Sequence, residues 1–315
     1  KYFKNALITG CGGDVACSLA RIARRANLFE RLIGCDLREE HDGLEFFDKC
    51  HVGTRADDSS YFDRLSEIVD AEDIELIIPA SDAELNAFFK AGNCHTFLGR
   101  AVVMASPRAV SVGLDKLDTA EFLLQQGLPH PWTKDSSQDV PIEYPCIFKP
   151  RQGQGSKGFE QVVTKEALAT INRSNGVFQQ FLPGDDTEFT CGLYRTSKEE
   201  VRHISFRRRL SGGLTGTGTV ESIPEITTFL ESLAYSLELV GSINVQLRLH
   251  DGVPMVFEIN PRFSSTVRFR DRLGFQDFVW SVQERAGFEP APWTPTRPGT
   301  RIIRGMDKII YDPQR

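Results

Sequence analysis

The stretch Asn244-Val245-Gln246-Leu247-Arg248-Leu249-His250-Asp251-Gly252-Val253-Pro254-Met255-Val256-Phe257-Glu258-Ile259-Asn260-Pro261-Arg262 decides how this chain is read. Alternating apolar and polar residues on either side of Asp251-Gly252 predict two strands joined as a hairpin. Side chains alternate faces with a period of two, so loop length decides which of them face together. A two-residue turn at Asp251 and Gly252 sets Gln246 opposite Phe257 and on the other face from Glu258. A three-residue loop, His250 to Gly252 with Gly252 left-handed, sets Asn244 opposite Glu258 and Gln246 opposite Val256. That second register gathers Asn244, Gln246, Glu258 and Asn260 on one face and Val245, Phe257 and Ile259 on the core face, and we adopt it. A carboxylate flanked by amide oxygens is a hard-oxygen donor set suited to Mg²⁺ bridging phosphates. Arg262 adds an anion clamp.

Upstream, the strand Cys146-Ile147-Phe148-Lys149 stops at Pro150 and enters Arg151-Gln152-Gly153-Gln154-Gly155-Ser156-Lys157-Gly158. Gly153, Gly155 and Gly158 leave backbone N–H groups able to curl around an anion, and Ser156 and Lys157 add donors. The loop lacks the Walker A order. Lys149, at the strand end, sets a point charge on the same phosphates. A helix is predicted from Asp115 to Gln126, closed by Gly127 with Pro129 and Pro131 beyond it. The segment 177–182 ends at Pro183-Gly184 and reads as a crossing between two subdomains.

Residues 5–105 alternate short apolar runs (Ala6-Leu7-Ile8, Leu32-Ile33-Gly34-Cys35, Leu76-Ile77-Ile78, Ala101-Val102-Val103) with amphipathic stretches at 15–26, 61–69 and 83–90. That rhythm predicts a parallel sheet. The turn Gly10-Cys11-Gly12-Gly13 and Asp36 at the end of the second strand suggest a dinucleotide site, but Val15 stands where the third glycine of that fingerprint belongs. We therefore read both as structural.

With 315 residues the chain has room for two or three domains. Forty-three acidic against 37 basic residues give a net charge of −6, which disfavours a nucleic-acid surface. No apolar run is long enough for a bilayer span, and Lys1-Tyr2-Phe3-Lys4 passes into a strand-like segment rather than a signal sequence, so we expect no membrane association. The missing initiator Met suggests a trimmed start. Seven widely spaced cysteines without a CxxC pair, and six histidines without a ligand pair, predict buried thiols in a reducing cytoplasm and no zinc site. Cys11 sits in a glycine loop, where it is either a reactive thiol or a small apolar filler, and we read it as the filler.

In order and spacing these residues resemble the ATP-grasp superfamily, in the style of one ATP-grasp half of the carbamoyl phosphate synthetase large subunit. The resemblance runs through Asp115-Lys116, Lys149-Pro150 with its glycine loop, the hinge at 177–182, Glu188, Gln246 and Glu258-Ile259-Asn260-Pro261-Arg262. It implies an α/β chain, α+β in its C-terminal part: a Rossmann-like parallel-sheet domain over 1–110, a small lid subdomain over 111–182, and a large subdomain with the metal and substrate site over 183–315. By the same resemblance, Lys116 and Lys149 would hold the α- and β-phosphates under a lid formed by the loop at 153–158. Backbone near Phe181 and Leu182 would take adenine, with Gln180, Asp185 or Glu188 near the ribose. Gln246, Glu258 and Asn260 would ligate one or two Mg²⁺ ions, for which Mn²⁺ is the expected substitute.

Arg262 would face the transferring phosphoryl group. Strand alternation in 201–210 sets Arg207 and Arg209 on one face and Arg208 on the other, either set within reach of the γ-phosphate; we assign Arg207 and Arg209. Arg268 and Arg270, with Arg272 beyond them, are candidates for gripping a substrate carboxylate. The implied activity is an ADP-forming carboxylate–amine ligase using an acyl phosphate, acting on ATP, a small acid or amino acid, and an amine, with a homodimer the assembly to expect. Alternatives are a nucleotide-binding regulatory protein without turnover, a bicarbonate-activating carboxylase-like enzyme, and, on Gly10–Gly13 and Asp36 alone, an NAD-dependent oxidoreductase.

Overall fold

Three sheets follow one another along the chain. The computed structural model describes residues 1–153, 158–184, 186–305 and the backbone of 309–311. The first sheet holds β1 (Phe3–Thr9), β2 (Phe29–Asp36), β3 (Lys49–Val52), β4 (Leu76–Ile78), β5 (Thr96–Phe97) and β6 (Arg100–Val102), in the order β3-β2-β1-β4-β6-β5. All neighbours are parallel except β5 with β6. Runs such as Ala6-Leu7-Ile8 and Leu76-Ile77-Ile78 are apolar on both faces because helices cover both: α1 (Asp14–Arg25), α2 (Tyr61–Ala71) and α3 (Asp82–Lys90). Asp36 accepts from the backbone N–H of Gly12 at 2.9 Å and of Arg38 at 3.1 Å, so its carboxylate closes the glycine turn. The expectation that the thiols are buried is corrected at Cys17 and Cys50, which are half-buried, and residues that sequence spacing left apart meet here. The fold brings Cys11, His41 and Cys50 together, although all seven cysteines are free thiols.

Helices α4 (Pro107–Gly113) and α5 (Lys116–Gln125) lead into the second sheet, made of β7 (Thr133–Asp135), β8 (Cys146–Pro150), β9 (Glu160–Val162) and β10 (Gly176–Gln180) in the antiparallel order β7-β10-β8-β9. Asp115 caps α5 by accepting from the Leu117 N–H and also receives Arg151 Nε at 2.9 Å. This ties the helix start to the end of β8.

The third sheet holds β11 (Glu188–Arg195), β12 (Val201–Ser211), β13 (Leu214–Glu221), β14 (Gly241–His250), β15 (Val253–Asn260), β16 (Arg301–Ile303) and β17 (Ile309–Tyr311), ordered β15-β14-β11-β12-β13-β16-β17. Phe189, Cys191, Leu193, Ile243, Val245 and Leu247 point to one face, where α6 (Pro224–Ser236) packs Ile226, Phe229, Leu230 and Leu233 against them. The same apolar cluster continues through α4 and α5 to Leu7, Ile33 and Ile77 of the first sheet. The opposite face carries the polar residues, with α7 (Val267–Arg272) and α8 (Asp277–Arg285) beyond it. No helix among the described residues is long and apolar enough to cross a membrane.

The predicted hairpin register is corrected. His250 pairs with Val253, so the turn is the two-residue one, with Asp251 at φ 50° and Gly252 at φ 80° as a type I′ turn requires. The ladder shifts between Gln246 and Leu247: Leu247 faces Val256, Gln246 faces Glu258, and Phe257 is the extra residue of a β-bulge. Asn244 faces Asn260. The bulge, rather than a longer loop, gathers the polar residues on one face.

Candidate active site

Two cavities meet at the polar face of the third sheet. The first, about 280 Å³, lies between the second and third sheets. It is lined by Lys116, Lys149, Gly153, Gln180, Phe181, Leu182, Glu188, Gln246 and Glu258, and so collects most of the residues assigned to nucleotide and metal. Ile147, Phe159, Leu210 and Phe257 give it apolar walls. Gly155, Ser156, Lys157 and Asp185 lie outside the described residues. Gly153 (φ 106°) and Gly158 (φ 70°) flank the loop in conformations that favour glycine.

Lys149 is the buried cation of this cleft. Its Nζ donates to the Phe257 carbonyl at 3.1 Å and stands 5.4 Å from that ring's centroid. The bulge thus aims a carbonyl at the lysine, which alternation along the strand does not reveal. Burial pushes the Lys149 ammonium down to about 8; Glu258 and Glu188 oppose the change, and Lys116 adds to it. Lys116 Nζ donates to the Gly153 carbonyl at 3.0 Å, joining the start of α5 to the glycine loop.

The face of the sheet assigned to Arg207 and Arg209 is corrected. Phe206 pairs with Thr190, so two residues on it is Arg208 that shares the polar face with Glu188 and Gln246. Arg208 bonds Glu188 at 2.8 Å and Gln246 Oε1 at 2.9 Å. Arg207 and Arg209 lie on the outward face, where they pair with Glu221 and Asp186. Arg248, which sequence reasoning missed, completes the cluster by bonding Glu188 at 2.7 Å and the Leu182 carbonyl at 2.6 Å. Burial raises the Glu188 carboxyl, but the two guanidinium groups outweigh it and hold the group below its ordinary range. Alternation from Gln246 along β14 was the signal that could have found Arg248.

The second cavity, about 390 Å³, lies where the third sheet meets the glycine turn of the first. Gly10, Gly13, Asp14 and Ser81 line one side, and Thr190, Asn244, Asn260, Arg262, Ser264 and Ser265 the other. Pro261 packs on Gly113, where a Cβ would stand 2.8 Å from the ring. Arg262 pairs with Asp82 at the start of α3 and donates to Asn260 Oδ1 at 3.3 Å. Arg270, expected to grip substrate, is also corrected. It is fully buried over Gly192, pairs with Asp277 at 2.7 Å and donates to Asn244 Oδ1 at 3.3 Å. Thr190 donates to the same oxygen, so the unpartnered Asn244 Nδ2 is the group this scaffold leaves as a donor. Arg268 is half-buried on α7 and lines neither cavity, and Arg272 is exposed.

Arg208, Leu210, Gln246 and Glu258 line both cavities. A shared wall of carboxylate, amide and guanidinium is where a group bound in one cavity can be passed to a group bound in the other.

The model of a family described as an ATP-grasp domain matches residues 114–266. The carbamoyl phosphate synthase large chain of Mycobacterium sp. (strain JLS) is 29% identical over 198 residues, covering 54% of this chain and 18% of that one. The chain spans only 18 to 26% of the length of the first such relatives. Among solved structures, N5-carboxyaminoimidazole synthetase from Staphylococcus aureus complexed with ADP superposes with a TM-score of 0.76 at 15% identity, covering 95% of this chain and 82% of that one. L-amino acid ligase from Bacillus licheniformis gives 0.71 at 17% identity, covering 95% and 74%. At these identities the structural likeness speaks for the fold alone. The chain therefore carries an ATP-grasp domain, with its glycine loop, its lysines and its Glu-x-Asn-Pro-Arg strand end inside residues 114–266.

Proposed function

We propose that the protein is an ATP-dependent, ADP-forming carboxylate–amine ligase. The observation that carries the reading is the shared wall: a nucleotide-sized cleft and a second polar chamber meet across Arg208, Gln246 and Glu258. ATP would lie with adenine among Ile147, Phe181 and Leu182 and its phosphates toward Lys116 and Lys149. An acid in the second chamber would present its carboxylate to the γ-phosphate. A carboxylate oxygen attacks the γ-phosphorus, the bond to the β-phosphate oxygen breaks, and ADP leaves an acyl phosphate. The nitrogen of an amine then attacks the carbonyl carbon, inorganic phosphate leaves with the electron pair, and the ammonium formed loses its proton.

The reaction needs little covalent work from side chains, so positioning and charge neutralisation decide its rate. Arg208 and Arg262 sit where charge accumulates on the transferring group. Asn244 Nδ2 and the hydroxyls of Ser264 and Ser265 line the acceptor chamber as polar groups for the acid or the amine. Oxygen donors on one face fit a hard cation: Glu258 and Asn260 would hold Mg²⁺ or Mn²⁺, with Gln246 joining when Arg208 releases its oxygen. Such an ion, when bound, neutralises phosphate charge. The structural neighbour described as an L-amino acid ligase supports the same class.

The test is ADP release from Mg²⁺-ATP against a panel of carboxylates, each with and without amines, beside Glu258→Gln. Release that requires one acid, rises with one amine and vanishes in the variant is expected. ATP binding without acid-dependent release across the panel would instead favour a nucleotide-responsive protein without turnover.

A further inference from the structure

Behind the second chamber, the glycine turn of the first sheet assembles a group that the ligase reading does not use. Cys11 is fully buried in the turn after β1, while His41 and Cys50 are half-buried. Their sulfur and ring-nitrogen atoms lie within 4.8 Å of one another. Gly34 in β2 makes this meeting possible: a Cβ there would stand 2.8 Å from Cys11 Sγ and 2.9 Å from Cys50 Sγ. Gly12 gives the same room to His41, whose Cβ would lie 2.9 Å from an added methyl. The two sulfurs therefore converge over a strand position that only glycine can occupy.

The hydrogen bonds say what kind of group this is. The Gly43 N–H donates to His41 Nδ1 at 3.2 Å, so in the neutral ring the proton is on Nε2, which faces Cys11 Sγ at 3.4 Å. The ring thus offers sulfur a proton rather than a lone pair. Ligation of a metal through Nε2 would put a proton on Nδ1, donor against donor with Gly43. A hydrogen bond also joins the two thiols, lowering Cys50 and raising Cys11, with burial adding to the rise at Cys11. A pair sharing one proton loses the first readily and keeps the second. Cys35 and Cys191, by contrast, are each pushed by burial up to about 12, and Cys146 to about 11.

We propose that Cys50 and Cys11 are a reversible redox pair, with Cys50 the thiol that meets a hydroperoxide and Cys11 the one that resolves it. The Cys50 thiolate attacks a peroxide oxygen, the O–O bond breaks, and the leaving oxygen takes a proton, giving a sulfenic acid at Cys50. The Cys11 sulfur then attacks Cys50 Sγ. The S–O bond breaks, water leaves with the Cys11 proton, and a disulfide forms over Gly34; the two electrons lost by sulfur reduce the peroxide. A dithiol reverses the step by exchange. Gly10 and Gly13 of the same turn line the acceptor chamber, so oxidation would pin one of its walls. That consequence rests on the ligase reading, whereas the chemistry of the pair does not.

The test treats the whole chain with hydrogen peroxide, alkylates the remaining thiols and maps the cysteines by mass spectrometry under non-reducing conditions. Loss of two of the seven thiols, one Cys11–Cys50 linked peptide pair, and full recovery with dithiothreitol are expected. Cys11→Ser should accumulate a dimedone-reactive sulfenic acid at Cys50, and Cys50→Ser should leave Cys11 alkylatable after unfolding. In the native wild-type chain, Cys50 should alkylate roughly tenfold or more faster than Cys35 or Cys191. The proposal is overturned if the linked pair is absent while other cysteines oxidise equally. It is also overturned if the chain carries one equivalent of zinc that leaves only when these thiols are blocked. The wild-type mapping decides the matter even where a variant fails to fold.

Discussion

Lys149→Met should stabilise the ligand-free protein and weaken its response to ATP. Between the ordinary lysine value of 10.5 and the value of about 8 that burial imposes lies about 3 kcal/mol of disfavour toward the charged form. Methionine removes that cost and also the hydrogen bond to the Phe257 carbonyl, for which about 1 kcal/mol is a fair figure. The balance is a gain of about 2 kcal/mol at pH 7, a rise of a few degrees in Tm. The pH dependence carries a definite sign. The lysine is charged in folded and unfolded states below about pH 8, so wild type bears the full cost there. Between pH 8 and the ordinary value the unfolded chain holds more protons, wild-type stability rises, and the gap to the variant closes. Thermal melts at pH 7 and pH 10, each with and without ATP, read all of this. Should Lys149→Met melt lower than wild type at pH 7 and keep the ATP-induced rise, the lysine would be neither a strained buried cation nor a phosphate partner.

Arg208→Met should lower ADP release by roughly a hundredfold or more, as expected for one donor lost at developing charge, while Arg207→Met and Arg209→Met stay within about twofold. Breaking the fully buried pair with Asp277→Ala should destabilise the fold by about 3 to 5 kcal/mol, and Arg270→Met with Asp277→Leu together should cost far less in a denaturant titration. Glu72 is held at about 2, mainly by Lys49 and with help from Arg31 and His51 against desolvation. The stability it lends should be present above pH 4.5 and fade toward pH 2, so wild type and Glu72→Gln should differ in acid unfolding at pH 6 and converge at pH 2. Glu258→Gln should bind metal-free ATP more tightly than wild type in calorimetry yet gain less from added Mg²⁺, because it removes a like charge and a ligand together.

Much of the first sheet was legible because its strands are covered on both faces and read as uninterrupted apolar runs. The residues at the mouth of the cleft were legible for another reason: Lys149 at a strand end and Glu258 with Asn260 at alternate positions leave few folds that satisfy them. Alternation could not count the residues of a bulge. The extra residue, Phe257, leaves both flanking patterns intact, so the longer loop and the bulge predict the same polar face. Three successive arginines posed a similar ambiguity. Alternation separates Arg208 from its neighbours, but only the pairing of β12 with β11 says which side meets Glu188. Arg270 looked like a ligand group because nothing nearby in sequence announces Asp277 as its buried partner or Gly192 as the space it fills. The meeting of Cys11, His41 and Cys50 was invisible for the same reason: it depends on three adjacent strands and on the missing Cβ of Gly34.

The charges of the nucleotide cleft explain why its carboxylates are divided between two roles. Among the described residues, Lys116, Lys149, Arg208 and Arg248 line it, with Glu188 and Glu258 against them. ATP brings about four negative charges, twice the positive excess of the cleft, and a divalent cation bridging its phosphates would make up the difference. Glu188 is already held by two arginines and cannot serve a metal without breaking that clamp. Its part is to fix Arg208 and Arg248 in place, and through Arg248 to hold the Leu182 carbonyl, at the end of the cleft where adenine is proposed to lie. Glu258 lies on the wall between the two cavities, so the carboxylate left available to a metal would also be the one nearest the proposed transfer. The bulge at Phe257 serves both ends of this arrangement: it turns a carbonyl toward Lys149 and restores the alternation that brings Glu258 beside Gln246. A deletion of Phe257 would therefore separate the two parts, since it would leave Glu258 opposite Gln246 in a regular ladder while taking from Lys149 its carbonyl.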